Sequence, residues 1–142
     1  MNDTKTSEES KATILKLVEA YWRKGDGAAL QLFSDDFVDH TAPAGAPKAG
    51  EGYRQFIRSV RDAFDGVEMD LDQLVAEGDR VAWRWVFRGK HTRPLMGMPA
   101  SGRSISFSGI TIDRIQKGKI IERWGEQDFA GFMQQLSAPA VG

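Results

Sequence analysis

The sequence predicts an α+β fold: helices first, then a strongly curved antiparallel sheet whose concave face they cover, a cone open at one end. Three observations predict it. In the first half, apolar residues recur at helical spacing, as in Ile14, Leu17, Val18 and Tyr21 at i, i+3, i+4 and i+7. After Gly66 the period becomes two, with Val67, Met69 and Leu71 alternating with Glu68, Asp70 and Asp72. Finally, Trp83, Trp85, Phe87, Phe107 and Trp124 occupy alternating strand positions, and a single carboxylate, Asp128, follows the last of them.

Ser10 is read as the cap of the first helix, and Gly25 as its end. Asp26 is placed to cap a short second helix carrying Ala29, Leu30, Leu32 and Phe33. Residues 37–41 read as a short extended segment and 42–50, APAGAPKAG, as a loop. A third helix puts Tyr53, Phe56, Ile57, Val60 and Phe64 on one stripe. The first strand follows Gly66. Glu77-Gly78-Asp79 turns it into a second strand, 80–91, and a Gly- and Pro-rich loop covers 92–102. Residues 103–115 form a third strand, Gln116 to Lys119 a turn, 120–128 the last strand and 129–136 a closing helix.

At 142 residues the chain predicts one domain, 10–136, with flexible tails at 1–9 and 137–142, burying about two-thirds of its unfolded surface. Nineteen basic against 20 acidic residues give a net charge of −1, which argues against nucleic acid or an anionic membrane as partner. No apolar run approaches the ~18 residues that span a bilayer, and the polar N-terminus lacks the apolar core of a signal peptide, so a cytoplasmic location is expected. The absence of cysteine excludes disulfides, thiolate catalysis and Cys-based zinc sites.

Aromatics gathered on one face of a curved sheet can line an apolar cavity. A carboxylate held among them keeps its proton more tightly than in water, which makes it a general acid/base needing no metal or cofactor. Asp128 is the candidate, and capping of the closing helix is the competing role. Trp22 joins Trp83, Trp85, Phe107 and Trp124 as candidate cavity lining; taken singly, each is also ordinary core. His91, at a strand end, and His40, in Asp39-His40-Thr41, read equally as structural histidines. They lie in no ligand motif of the H-x-H or H-E-x-x-H kind, so no metal site is expected. GEGYR (50–54) and GMPASGR (97–103) lack the strand-loop-helix context of phosphate binding. Arg84, Arg88, Arg123 and Ser104, Ser106 and Ser108 alternate with the apolar set and belong to the opposite face, a candidate subunit interface.

The segments VDHTAP (38–43), GYRQFIRSVRDAFDG (52–66), LVAEGDRVAWRW (74–85), GKHTRPLMGMPASGR (89–103), GITIDRIQKGKIIERW (109–124) and DFAGFMQQL (128–136) resemble the SnoaL-like polyketide cyclases. That family shares the cone-shaped fold of nuclear transport factor 2 and ketosteroid isomerase, and the resemblance spans about residues 10–136. It implies that Asp128, in the W-x-x-x-D pattern after Trp124, is the acid/base of an intramolecular aldol closure. It also implies His91 as a carbonyl donor or a partner orienting Asp128, and His40 as a substrate contact. Where family members often carry Gly-Xaa-Phe after that histidine, this chain has Arg93-Pro94-Leu95, a change at the mouth of the pocket. The expected function is cofactor-independent ring closure or isomerisation of a small apolar carbonyl compound, by a homodimer. A non-catalytic binding module, or a hydrolase or dehydratase using Arg84, Arg88 or Glu122, are the alternatives on the same fold.

Overall fold

A computed structural model describes residues 3–139. Helix α1 (Asp3–Lys16) runs directly into a π-helical segment, Leu17–Arg23, so the N-terminal helix begins well before the expected cap. Ser10 is not a cap but a buried mid-helix residue. Its hydroxyl donates to Gly78 O at 2.8 Å, and the Gly78 N–H donates to Ser7 Oγ at 2.8 Å. Two hydroxyls thus dock the polar end of α1 on a strand turn. Hydrophobic periodicity does not register such a contact, which is why residues 3–9 read as tail. Residues 1–2 and 140–142 of the expected tails lie outside the described residues.

Asp26 caps as expected, its carboxylate accepting from Ala28 N at 3.0 Å, but the segment it opens is a 3₁₀ helix, Gly27–Leu32. The sequence then turns into β1 (Phe33–Asp39) before α2 (Gly50–Asp62). Four helical segments therefore precede the meander in place of three, two of them short, and a strand lies among them. The buried guanidinium of Arg54 on α2 ties the segments together by donating to Leu30 O at 3.2 Å and Phe33 O at 2.5 Å.

The meander is β2 (Phe64–Glu77), β3 (Arg80–His91), β4 (Ser104–Gln116) and β5 (Lys119–Gln127), followed by α3 (Phe129–Leu136). Sheet order is β1-β5-β4-β3-β2, and β1 pairs parallel to β5. The sheet is therefore mixed, correcting the all-antiparallel expectation. A seven-residue strand separated from its partner by some eighty residues leaves no local pairing signal. The β4–β5 turn places Lys117 and Gly118 both at positive φ (53° and 74°), the hairpin geometry that follows strand twist.

Two strands depart from strict alternation. In β2 the register slips near Gly66 and again near Asp72, and in β5 Arg114 pairs with Glu122 while Ile115 pairs with Ile120. Ile121 is thus an extra residue, a β-bulge, and everything after it changes face relative to a simple count by twos. The inner face of the sheet shares one hydrophobic core with the helices, through Val81, Trp83, Phe87, Ile105 and Ile115 against Ile14, Leu17, Tyr21, Ile57 and Val60. Among the described residues no helix is long and apolar enough to cross a membrane.

Candidate functional site

Helices and inner sheet face leave a cavity of about 280 Å³ between them. Trp22 supplies one wall from the π-helical segment, Phe56, Ile57 and Val60 another from α2, and Trp85, Phe87 and Phe107 the sheet side. Phe132 of α3 stacks on Phe107, with ring centroids 4.1 Å apart. Met96, from the 92–103 loop, and Phe129 also reach the lining. Both indole N–H groups of β3 are satisfied: Trp83 Nε1 donates to Asp113 Oδ2 at 3.1 Å and Trp85 Nε1 to Thr111 Oγ1 at 3.0 Å. Gly109 makes room for this, since a Cβ there would stand 2.6 Å from the Trp85 ring.

The polar end of the cavity is built where β1 meets β5. Asp39 and Arg123 are register partners across that parallel pairing, and both line the cavity. Arg123 is inward because of the Ile121 bulge, the reverse of the outward position that alternation gives it. Its guanidinium donates to Asp113 from Nε (2.7 Å to Oδ1) and Nη2 (2.9 Å to Oδ2), and from Nη1 to the Tyr53 hydroxyl at 3.0 Å. It also lies over Phe33 (5.1 Å) and Trp83 (5.7 Å). Burial works against its charge, but Asp113 outweighs that and holds the guanidinium firmly protonated. Tyr53, 4% exposed, has its phenol pushed up chiefly by burial, so it stays neutral.

Asp39 is buried, and its Oδ1 accepts from both Thr41 N and Thr41 Oγ1 at 3.0 Å. The Thr41 hydroxyl is itself fixed by the Gly125 N–H at 2.7 Å. Among the described residues no donor reaches Oδ2, which leaves Asp39 with a spare carboxylate oxygen on an aromatic-walled cavity.

The expected site residues separate into three groups. Trp22, Trp83, Trp85 and Phe107 line the cavity. Trp124 and His40 do not: they stack on each other, centroids 5.0 Å apart, outside it. There His40 Nε2 lies 2.8 Å from Glu122 Oε2, and Arg80 covers the Trp124 ring at 5.5 Å. The same bulge that turns Arg123 inward turns Trp124 out. Glu122, shared between His40 and Arg114, has its carboxyl held below the usual range by those two hydrogen bonds.

Asp128 and His91 are also displaced from the expected site. Asp128 is exposed and caps α3, its Oδ1 accepting from Gly131 N at 3.0 Å. Its neighbours Gln127 and Phe129 reach the cavity and Asp128 does not, so the enclosure among aromatics that its acid/base role requires is missing. His91 is fully buried outside the cavity lining. Its Nδ1 accepts the Ser101 N–H at 3.2 Å, so the neutral ring carries its proton on Nε2, which makes no hydrogen bond of good geometry among the described residues. Burial pushes its pKa down from 6.5, and the ring is a neutral clamp on the 92–103 loop.

Sequence reasoning missed Asp39, Tyr53, Asp113 and Arg123. Asp39 stands in the VDHTAP segment beside His40, and Tyr53 lies on the apolar stripe of the third helix, where nothing local marks its hydroxyl. Among the described residues no three His, Cys, Asp or Glu side chains gather as a metal-binding set.

Residues 12–136 match the family model of the SnoaL-like polyketide cyclases. The chain is 29% identical over 133 residues to aklanonic acid methyl ester cyclase DnrD of Streptomyces peucetius, covering 89% of each. Its fold superposes on TsrD from Streptomyces laurentii with a TM-score of 0.74 at 31% identity, covering 89% of this chain and 96% of that one. A structure from Jannaschia sp. CCS1 under the same family description gives a TM-score of 0.83, covering 98% and 99%, and at 21% identity speaks to the fold alone.

Proposed function

Because the chain belongs to the SnoaL-like polyketide cyclase family, we propose that it is a cofactor-independent acid/base enzyme of the cyclase type, closing or isomerising a small aromatic carbonyl compound. The observation that carries this reading is Asp39, a buried carboxylate with an unengaged oxygen on the wall of an aromatic cavity. Asp39 takes a proton from the carbon beside a carbonyl, and the C–H electron pair moves into a C=C bond while the carbonyl pair moves to oxygen. The enolate carbon then attacks a second carbonyl, forming the C–C bond, and the new alkoxide takes the proton back. Atoms and electrons balance without an oxidant, and the cavity's part is to hold both carbonyls in one reactive conformer. Similarity to a named ester cyclase supports ring closure as the outcome.

Asp128 keeps the role its geometry supports, a helix cap at the rim. The two carboxylates are told apart by deuterium exchange at the α-carbon of 2-tetralone, followed by NMR. Asp39→Asn is expected to slow protein-catalysed exchange by about two to four orders of magnitude, and Asp128→Asn by less than about threefold. The reverse pattern returns the base to Asp128. Binding of 2-tetralone with no exchange above background would assign the chain to non-catalytic ligand carriers instead.

We further propose a homodimer through the outer sheet face. There Val75, Ala82, Ile112 and Trp124 are successive register partners across four strands, and Val75, Ile110 and Ile112 are 61%, 51% and 42% exposed. The serines of β4 continue the same face.

A further inference from the structure

We propose that the Tyr53 hydroxyl is the hydrogen-bond donor to the substrate's carbonyl oxygen, held for that task by Arg123. This deepens the acid/base reading above and rests on it.

Tyr53 sits on the inward stripe of α2 with its side chain on the cavity, and its oxygen already accepts one bond, from Arg123 Nη1 at 3.0 Å. Its own O–H has no acceptor among the described residues, although the residue is only 4% exposed. A buried hydroxyl donor is normally spent on an acceptor, because leaving it unpaired forfeits the hydrogen bonds it made to water. An unspent donor on a cavity wall is the complement of a ligand acceptor.

The surrounding charges suit that role. Arg123 donates to the phenol oxygen, which polarises the O–H and makes it a stronger donor. The guanidinium charge is matched by Asp113, fully enclosed and holding Arg123 with both oxygens. The floor under Tyr53 is therefore a neutral ion pair rather than a free cation, so the phenol is not drawn into ionising, and burial itself keeps it protonated. Asp113 also takes the Trp83 N–H, fixing the indole beside the guanidinium. Tyr21, the other tyrosine, is spent on Ile57 O at 3.1 Å. As the enolate forms, negative charge grows on the carbonyl oxygen, and a donor already aimed there lowers the barrier without reorganising. Tyr53 keeps its proton throughout. Asp39 and Tyr53 then serve opposite ends of one enolisation, the carboxylate at the α-carbon and the phenol at the oxygen, from strands and helix that meet at Arg123.

The test uses two probes of one shape, 2-acetylnaphthalene and 2-isopropenylnaphthalene, which differ by C=O against C=CH₂. Binding is followed by quenching of the cavity tryptophans, and the carbonyl stretch of the bound ketone by infrared difference spectra. The wild-type protein is expected to favour the ketone by tenfold or more and to lower its carbonyl frequency. In Tyr53→Phe the preference should fall below about threefold and the frequency shift should vanish, while the alkene binds as before. A purely structural tyrosine would weaken both probes alike. Tyr53→Phe retaining the ketone preference and the shift overturns the assignment, as does a wild-type preference below threefold, a result that needs no variant. Failure of 2-tetralone exchange with the ketone preference intact would remove the acid/base reading and leave Tyr53 as a carbonyl anchor in a binding protein. Binding of neither probe removes both.

Discussion

Removing Asp113 should cost more stability than any other single change to the polar end of the cavity. Its carboxylate is 0% exposed and collects three donors, two from Arg123 at 2.7 and 2.9 Å and one from Trp83 at 3.1 Å. Asp113→Leu removes the partner but leaves the Arg123 guanidinium buried, with the Tyr53 oxygen as its remaining hydrogen-bond acceptor. Stranding one member of a buried ion pair costs about 3–5 kcal/mol. A domain of this size has roughly 5–15 kcal/mol in total, so about a fifth of its stability or more would go. At about 2–4 °C per kcal/mol, melting should fall by roughly 6–20 °C. The double variant Asp113→Leu, Arg123→Met deletes the charge along with its partner, and it should be more stable than Asp113→Leu alone by about 2 kcal/mol or more. Urea unfolding followed by tryptophan fluorescence gives all four corners of the cycle. A cost below about 1 kcal/mol for Asp113→Leu, or simple additivity in the double variant, would refute the claim that Arg123 is charged, desolvated and dependent on Asp113.

Two further outcomes follow from residues outside the cavity. His91 has a folded pKa pushed below its ordinary 6.5, so the unfolded chain binds more protons in the window beneath 6.5. The stability its neutral ring contributes is complete above that value and is lost as pH falls toward and through the depressed folded pKa, by at most ~1.4 kcal/mol per pH unit. His91→Asn, whose amide oxygen can take the Ser101 N–H, should flatten that part of the acid limb in denaturation curves between pH 7.5 and 5; an unchanged slope would exonerate His91. On the outer sheet face, Ile112→Lys should convert a dimer near twice 15.8 kDa to monomer in light scattering, with the circular dichroism of the fold unchanged. Wild-type protein that is monomeric at micromolar concentration sinks the interface.

What the sequence made legible was what depends on period and on turn chemistry. β3 and α3 fall on the expected residues, and the Glu77-Gly78-Asp79 and Gln116 to Lys119 turns fall where glycine allows them. What it hid was whatever depends on a distant partner. β1 joins the sheet by pairing with β5, and α1 is extended toward the N-terminus by two serines reaching Gly78. The candidate site suffered most, because one inserted residue decides it. Counting by twos from Ile120 puts Glu122 and Trp124 on its face; the bulge at Ile121 puts Arg123 there and sends Trp124 to His40. A bulge is a property of two strands taken together, and no feature of IIERW read alone announces it.

The same reasoning explains why the carboxylate that stood out in the sequence is not the one best placed for chemistry. Asp128 was conspicuous because it ends an aromatic strand, yet a strand end that opens a helix is where a backbone N–H array demands a capping acceptor, and Gly131 N takes it. A side chain so engaged at the surface gains little from neighbouring aromatics. Asp39 was inconspicuous because it is the third acid of Asp35-Asp36-Phe37-Val38-Asp39, in a short extended segment where no local feature singles it out. Parallel pairing with Arg123 carries its last member under the helices, and the short Asp39–Thr41 turn then fixes one oxygen and leaves the other unengaged. A carboxylate is useful as a base when it is held still and partly desolvated, and long-range pairing achieves both at Asp39. The placement of the proposed base is thus set by topology, through a strand too short to identify itself, rather than by the residues that flank it.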